Sequence, residues 1–158
     1  MKNQSFTTTI LVNQTPKQAF DAIKNVRGWW SGLHWEKFEG VSEKINDEFT
    51  FSAEDGAHVS KQKLIELIPE KKVVWLVTDS KLSFAENETE WTGTKIIFDI
   101  SRENNATKIV FTHLGLVPEF ECYDSCAPVW TKYIQERLLL NLINAGKKED
   151  VVIADATL

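Results

Sequence analysis

The side chains of this sequence that could do chemistry are few and widely spaced: three histidines, two cysteines, and carboxylates and hydroxyls in no recognised catalytic arrangement. His113 comes first. It continues the alternation of Ile109 and Phe111, so it belongs on the inward face of a strand over 107–114. An imidazole with an ordinary pKa of about 6.5 suits acid-base work on a substrate within reach. The plainer reading, a histidine at a strand end hydrogen-bonded to a neighbour, is the favoured one. Tyr133 and Arg137 lie one turn apart on a helical pattern. Arg137 could direct its guanidinium at a carboxylate ligand, whereas an Arg on a helix flank more often lays its stem over apolar surface and keeps its head in water.

The remaining candidates have simple explanations. Cys122 and Cys126 are four apart and share a helix face, but a structural zinc site takes four Cys/His ligands and no second pair exists. They read as structural thiols. His34 and His58 have no carboxylate beside them in a recognisable arrangement, and a metal site would need His34, His58 and His113 to converge from three distant elements. No metal is expected. Glu119, Glu121 and Asp124 suit the positive end of a helix dipole. Ser31 and Ser125 lack a GxSxG setting, which speaks against a hydrolase nucleophile. Neither GxGxxG nor GxxxxGK[ST] occurs, so no nucleotide cofactor is expected, and no cofactor of another kind is implied.

Composition narrows the classes further. With 158 residues the chain suits one domain, and 18 Lys plus Arg against 23 Asp plus Glu leave a formal charge of −5. That balance argues against a nucleic-acid binder, whose affinity comes from neutralising phosphates. No basic run offers a hold on an anionic membrane surface. No leader or spanning segment is evident, so a cytoplasmic protein is expected. Six Trp and nine Phe exclude disorder and raise the question of where so many large rings go.

The elements that must position these side chains can be read in order. Residues 5–12, rich in Thr, Ile and Val, form a strand. Thr15 and Pro16 then open a helix over 16–25 as N-cap and first helical residue. The segment 28–35 carries Trp29, Trp30 and Trp35 between glycines and reads as a short helix or turn. Strand-like runs follow at 48–52, 57–68, 73–78, 92–101 and 107–114, with 80–90 polar and acidic and expected to be exposed. The last element, 124–145, places Trp130, Ile134, Leu138 and Leu142 at four-residue steps on one helical face. Gly146 is expected to cap it. Strands grouped together, with helices outside the run, define an α+β domain over 1–146, with 147–158 as a tail.

This order, with Thr15-Pro16, Trp29-Trp30 and a Trp-bearing C-terminal helix, resembles the START-like (SRPBCC) superfamily and its helix-grip fold. Within it the likeness is to bacterial single-domain proteins named after the activator of Hsp90 ATPase homologue, and it spans about residues 5 to 146. The stretch 112–123, Thr-His-Leu-Gly-Leu-Val-Pro-Glu-Phe-Glu-Cys-Tyr, is similar to that of uncharacterised members. The resemblance implies a curved antiparallel sheet of about six to seven strands around the long helix, with a cavity between them. Candidates for its wall are Trp29, Trp30, Phe49, Phe51, Trp75, Phe98, Phe111, His113, Trp130, Tyr133 and Arg137. The competing reading is that these rings fill the core. Trp35 is assigned to the rim, and Trp91, at a strand start beside the acidic loop, is expected to lie away from the cavity.

Superfamily members carry lipids, hormones and polyketides, act as cyclases or hydroxylase subunits, or assist a chaperone, all on one architecture. Binding of a small apolar or aromatic molecule or lipid is the leading expectation. A cavity enzyme of cyclase, dehydratase or hydrolase type using His113 is one alternative, and an Hsp90-type chaperone co-factor is another. Against the chaperone role, eukaryotic members carry an additional N-terminal domain that contacts the chaperone, whereas this chain starts at the helix-grip strand. A homodimer fits a small domain of this kind, although no sequence feature demands it.

Overall fold

The computed structural model describes residues 5–31, 33–83, 86–117 and 123–143. Its centre is a seven-stranded antiparallel sheet in the order β1-β7-β6-β5-β4-β3-β2. The strands are β1 (Phe6–Val12), β2 (Lys37–Gly40), β3 (Glu48–Ala53), β4 (His58–Ile68), β5 (Lys72–Leu82), β6 (Lys95–Glu103) and β7 (Ala106–Leu114). Two short helices, α1 (Pro16–Lys24) and α2 (Val26–Trp29), follow β1, and the last helix, α3, begins as Tyr123–Lys132 and continues to residue 143. This is the α+β helix-grip arrangement. The expected tail, the Gly146 cap, Cys122, Glu119 and Glu121 lie outside the described residues.

The ends of α1 follow from local chemistry. The Thr15 hydroxyl accepts from Gln18 N at 3.1 Å, and Thr15 N donates to Gln18 Oε1 at 2.8 Å, so two otherwise unpaired amides are satisfied reciprocally. Ala19, Phe20 and Ile23 are the buried face. Gly28 in α2 permits close approach to α3, since a Cβ there would lie 2.3 Å from Asn141 Nδ2.

Helix α3 departs from regular geometry. Residues Tyr133–Leu138 are wound as a π-helix. The four-residue spacing of Trp130, Ile134, Leu138 and Leu142 supplies the reason. At about 100° per residue, three such steps overshoot whole turns by about 120°. One extra residue taken up by a π turn reduces the overshoot to about 20°. All four side chains are buried to at least 98% as a result.

The sheet is bent by two register shifts between β4 and β5. Lys61 pairs with Asp79 but Gln62 with Val77, which leaves Thr78 as an extra residue; Leu64 pairs with Trp75 but Glu66 with Val74, which leaves Ile65 as another. Such bulges bend a strand and increase its twist. The first also switches faces: Val73, Trp75 and Val77 point inward, and beyond Thr78 it is Ser80 and Leu82 that are buried. The reading of 80–90 as exposed holds for Lys81, Ser83 and 86–89 and is corrected at Ser80, Leu82 and Glu90, which are buried. β5 runs on to Leu82, Leu82 N donates to Glu88 O, and Gly93 N donates to Val77 O. These backbone bonds draw the following segment over the sheet and turn Trp91 inward.

Candidate functional site

The inner face of the sheet, α2 and α3 enclose an aromatic core that divides the interior. On the β6 and β7 side it is filled. Phe111 lies 4.6 Å from Trp130 and 5.1 Å from Phe98, and Trp29 meets Phe98 edge-on at 5.3 Å. Trp29 Nε1 donates to Ile23 O at 2.9 Å and Trp75 Nε1 to Ser42 Oγ at 2.9 Å, so both indole N–H groups are satisfied within the core.

Toward β3 and β4 the packing opens into a cavity of about 390 Å³, near the lower end of small-molecule sites. Trp30, Phe51, Trp91, Trp130 and Tyr133 supply its rings, Ala53, Ala57, Cys126 and Val129 its small apolar wall, and His34, Glu54 and His58 its polar groups. Of the residues singled out from sequence, Trp30, Phe51, Trp130 and Tyr133 line this space. Trp29, Phe49, Trp75, Phe98, Phe111 and His113 stand behind it in the core. Arg137 is half-buried and donates from Nε to Ser31 O at 3.0 Å. Trp91 overturns the expectation that it lies away: it is 3% exposed, stacks on Trp130 at 5.9 Å and forms part of the wall. Trp35, assigned to the rim, is 79% exposed and is no part of the lining.

His113 is wholly buried, and its neighbours define its protonation. Trp130 Nε1 is only ever a donor, and it lies 3.1 Å from His113 Nδ1, which must accept. Nε2 therefore carries the proton and donates to Thr94 Oγ1 at 2.8 Å, while the Thr94 hydroxyl donates onward to Trp91 O at 2.6 Å. This assignment rests on the donors and acceptors present. Burial, with a smaller contribution from His58, lowers the His113 pKa to about 3. The ring is a neutral link tying α3, β7 and the 91–94 turn together, with both nitrogens engaged.

His58 is the more deeply placed of the two imidazoles that line the cavity. Its ring packs edge-on to Trp91 at 4.6 Å and to Phe51 at 5.3 Å, and burial lowers its pKa to about 4, so it too is neutral at pH 7. Behind it on the inward face of β4, Ser60 Oγ lies 3.4 Å from His58 Nε2, and Gln62 Nε2 donates to Ser60 Oγ at 2.6 Å. Gln62 Oε1 is buried with no hydrogen-bond partner.

His34 and Glu54, each partly exposed, form the mouth. His34 Nδ1 lies 2.8 Å from Glu54 Oε2, and Glu54 N donates to His34 O at 2.9 Å, a two-point clasp between the segment after α2 and the β3–β4 turn. Glu54 and Asp55 both adopt left-handed backbone, at φ 53° and 56°, a conformation that costs about 1–3 kcal/mol for a residue other than Gly. Trp35, at φ 54°, does the same. Glu36 holds the segment in place: its carboxylate accepts from Leu33 N, from His34 N and from Tyr133 Oη, the last at 2.5 Å. Burial alone would raise the Glu36 pKa, but these hydrogen bonds outweigh it and hold the carboxyl below its usual range. Tyr133 is raised, first by burial and then by its bond to Glu36 and the charges of Glu36 and Glu54. Neither carboxylate was found from sequence, because each meets its partner only in three dimensions.

Among the described residues no three His, Cys, Asp or Glu side chains converge as a metal site, and no helix is long and apolar enough to cross a membrane.

The architecture is that of a helix-grip fold, with a cavity between the sheet and the last helix. Comparison with solved structures agrees. The Aha1 dimer structure from Colwellia psychrerythraea is similar with a TM-score of 0.64 at 21% identity, covering 83% of this chain and 90% of that one. Protein MLL2253 from Mesorhizobium loti gives a TM-score of 0.65 at 14% identity over 87% and 97% of the two chains. Protein BH1534 from Bacillus halodurans gives 0.64 at 13% over 90% and 99%. At these identities the likeness is one of fold. No family model and no curated protein matches the chain.

Proposed function

We propose that this protein binds a small apolar or aromatic molecule in the cavity between β3, β4, the 91–94 turn and α3. The carrying observation is the lining itself: a half-open space of about 390 Å³ walled by five aromatic rings, with His34, Glu54 and His58 as its polar groups. Sites of this make-up take ligands through apolar contact and set their orientation with a few polar groups. The state of His113 supports binding over catalysis by that residue, since its acceptor nitrogen is occupied by Trp130 and its proton by Thr94.

The test uses the cavity's own chromophores. Trp30, Trp91 and Trp130 border the space, so a library of aliphatic, aromatic and lipid molecules is followed by Trp fluorescence and thermal unfolding. A ligand present at 100 times its Kd stabilises by about 2.7 kcal/mol. A flat response across the library, in fluorescence and in melting, refutes the reading. A homodimer is proposed alongside, supported by the dimer in the Colwellia psychrerythraea structure. Sedimentation over a range of protein concentrations checks it, and a monomer throughout excludes it.

A further inference from the structure

We infer that the ligand of this cavity is an organic cation, an aromatic or apolar body carrying an ammonium group that is received by the Glu54 carboxylate at the mouth. The inference rests on the binding reading above and adds the charge of the ligand, which the residues around the cavity set.

Among the described lining residues Glu54 is the only one whose ordinary form at neutral pH is charged and acidic, and neither Lys nor Arg lines the space. The nearest guanidinium that the sequence had offered to a ligand, Arg137, is instead committed to Ser31 O. His58, the imidazole deepest in the wall, is kept neutral by its enclosure between Phe51 and Trp91, so it supplies no positive charge. Behind Tyr133 stands a second carboxylate, Glu36, held ionised by two backbone amides and the phenol. The formal charge that the described lining brings to the cavity edge is thus that of Glu54, and low-dielectric walls strengthen its pull on a cation. An anionic ligand would face the Glu54 carboxylate at the mouth, with neither Lys nor Arg among the described lining residues to receive it.

Glu54 is also built into position. Its amide and its carboxylate both hold His34, and two successive left-handed residues turn the β3–β4 connection so that its side chain borders the cavity. His34 engages Oε2, and a ligand ammonium would be received at Oε1. With half of its side-chain surface exposed, the carboxylate can take up an ammonium that keeps part of its own hydration, while the rest of the ligand enters the aromatic interior.

The experiment compares three probes of one shape and different charge: tryptamine, 3-ethylindole and indole-3-propionate, titrated calorimetrically into the full chain and into Glu54→Gln. Tryptamine is expected to bind at least tenfold more tightly than indole-3-propionate and more tightly than 3-ethylindole, and Glu54→Gln is expected to remove most of that preference while melting as the parent does. Equal or reversed affinities of tryptamine and indole-3-propionate overturn the inference, as does a cation preference unchanged in Glu54→Gln. If 3-ethylindole or a member of the neutral library binds while tryptamine does not, the cation assignment falls and the binding reading stands. If neither these three probes nor any member of the library binds, both fall.

Discussion

Replacing His113 by Phe removes the acceptor of the Trp130 indole N–H and one of the two partners of the Thr94 hydroxyl, while keeping a ring of similar size in the core. Thr94 keeps its bond to Trp91 O. The Trp130 N–H is left buried without a partner, which costs about 1–3 kcal/mol at pH 7.5. The penalty shrinks on acidification. The His113 pKa is lowered from 6.5 to about 3, so between those values the unfolded chain binds a proton that the native protein refuses. Native stability is thus fully present above pH 6.5 and is lost as pH falls, by about 1.4 kcal/mol per unit, until the folded pKa is passed. At pH 5 this histidine alone has cost the native protein about 2 kcal/mol, a loss the Phe variant does not suffer. The gap between parent and variant should therefore fall from about 1–3 kcal/mol at pH 7.5 to about zero near pH 5. Urea unfolding followed by Trp fluorescence at pH 7.5, 6 and 5 measures it. His58 and the carboxylates are common to both proteins and cancel in the difference. A gap that stays constant from pH 7.5 to 5 refutes the buried neutral assignment. So does a His113 ring resonance in NMR that titrates near 6.5.

Three further outcomes follow from the geometry. Tyr133→Phe removes a charge-assisted bond to Glu36 and should cost about 1.5–3 kcal/mol in chemical denaturation and raise the Glu36 pKa; amide exchange at 33–36 should accelerate, and unchanged exchange there would show that the bond does not anchor this segment. Gln62→Met replaces the side chain that bears an unpartnered buried oxygen with an apolar one of similar volume, and should leave stability unchanged or raise it by up to about 1 kcal/mol; a loss of more than about 1 kcal/mol would mean that the amide is better satisfied than the geometry indicates. Gly40→Ala places a Cβ 2.4 Å from the Glu48 carbonyl oxygen at a φ of +105°, so it should lower stability by at least about 1–3 kcal/mol and melt the β2 edge first, whereas a melting temperature equal to the parent's would contradict the register of β2 on β3.

The sequence by itself determined what depends on neighbours a few residues away. Thr15, Pro16 and Gln18 define the start of α1 through bonds that close within one turn, and Ile96, Phe98 and Ile100 or Ile109 and Phe111 show their buried faces by simple alternation. The four-residue steps from Trp130 to Leu142 announced α3 and even carried the mismatch that the π turn resolves. Tertiary structure alone decided the site. The bulge at Thr78 reverses which side of β5 faces inward, so Ser80 and Leu82 are buried within a largely exposed polar stretch, and Trp91 after it packs against Trp130. Rings of one chemical type were thereby divided between filled core and open cavity by register and curvature, which leave no periodic mark. Glu36 meets Tyr133 across 97 residues and Glu54 meets His34 across the sheet edge. Such pairings depend on how separate elements are placed, and no local pattern encodes that placement.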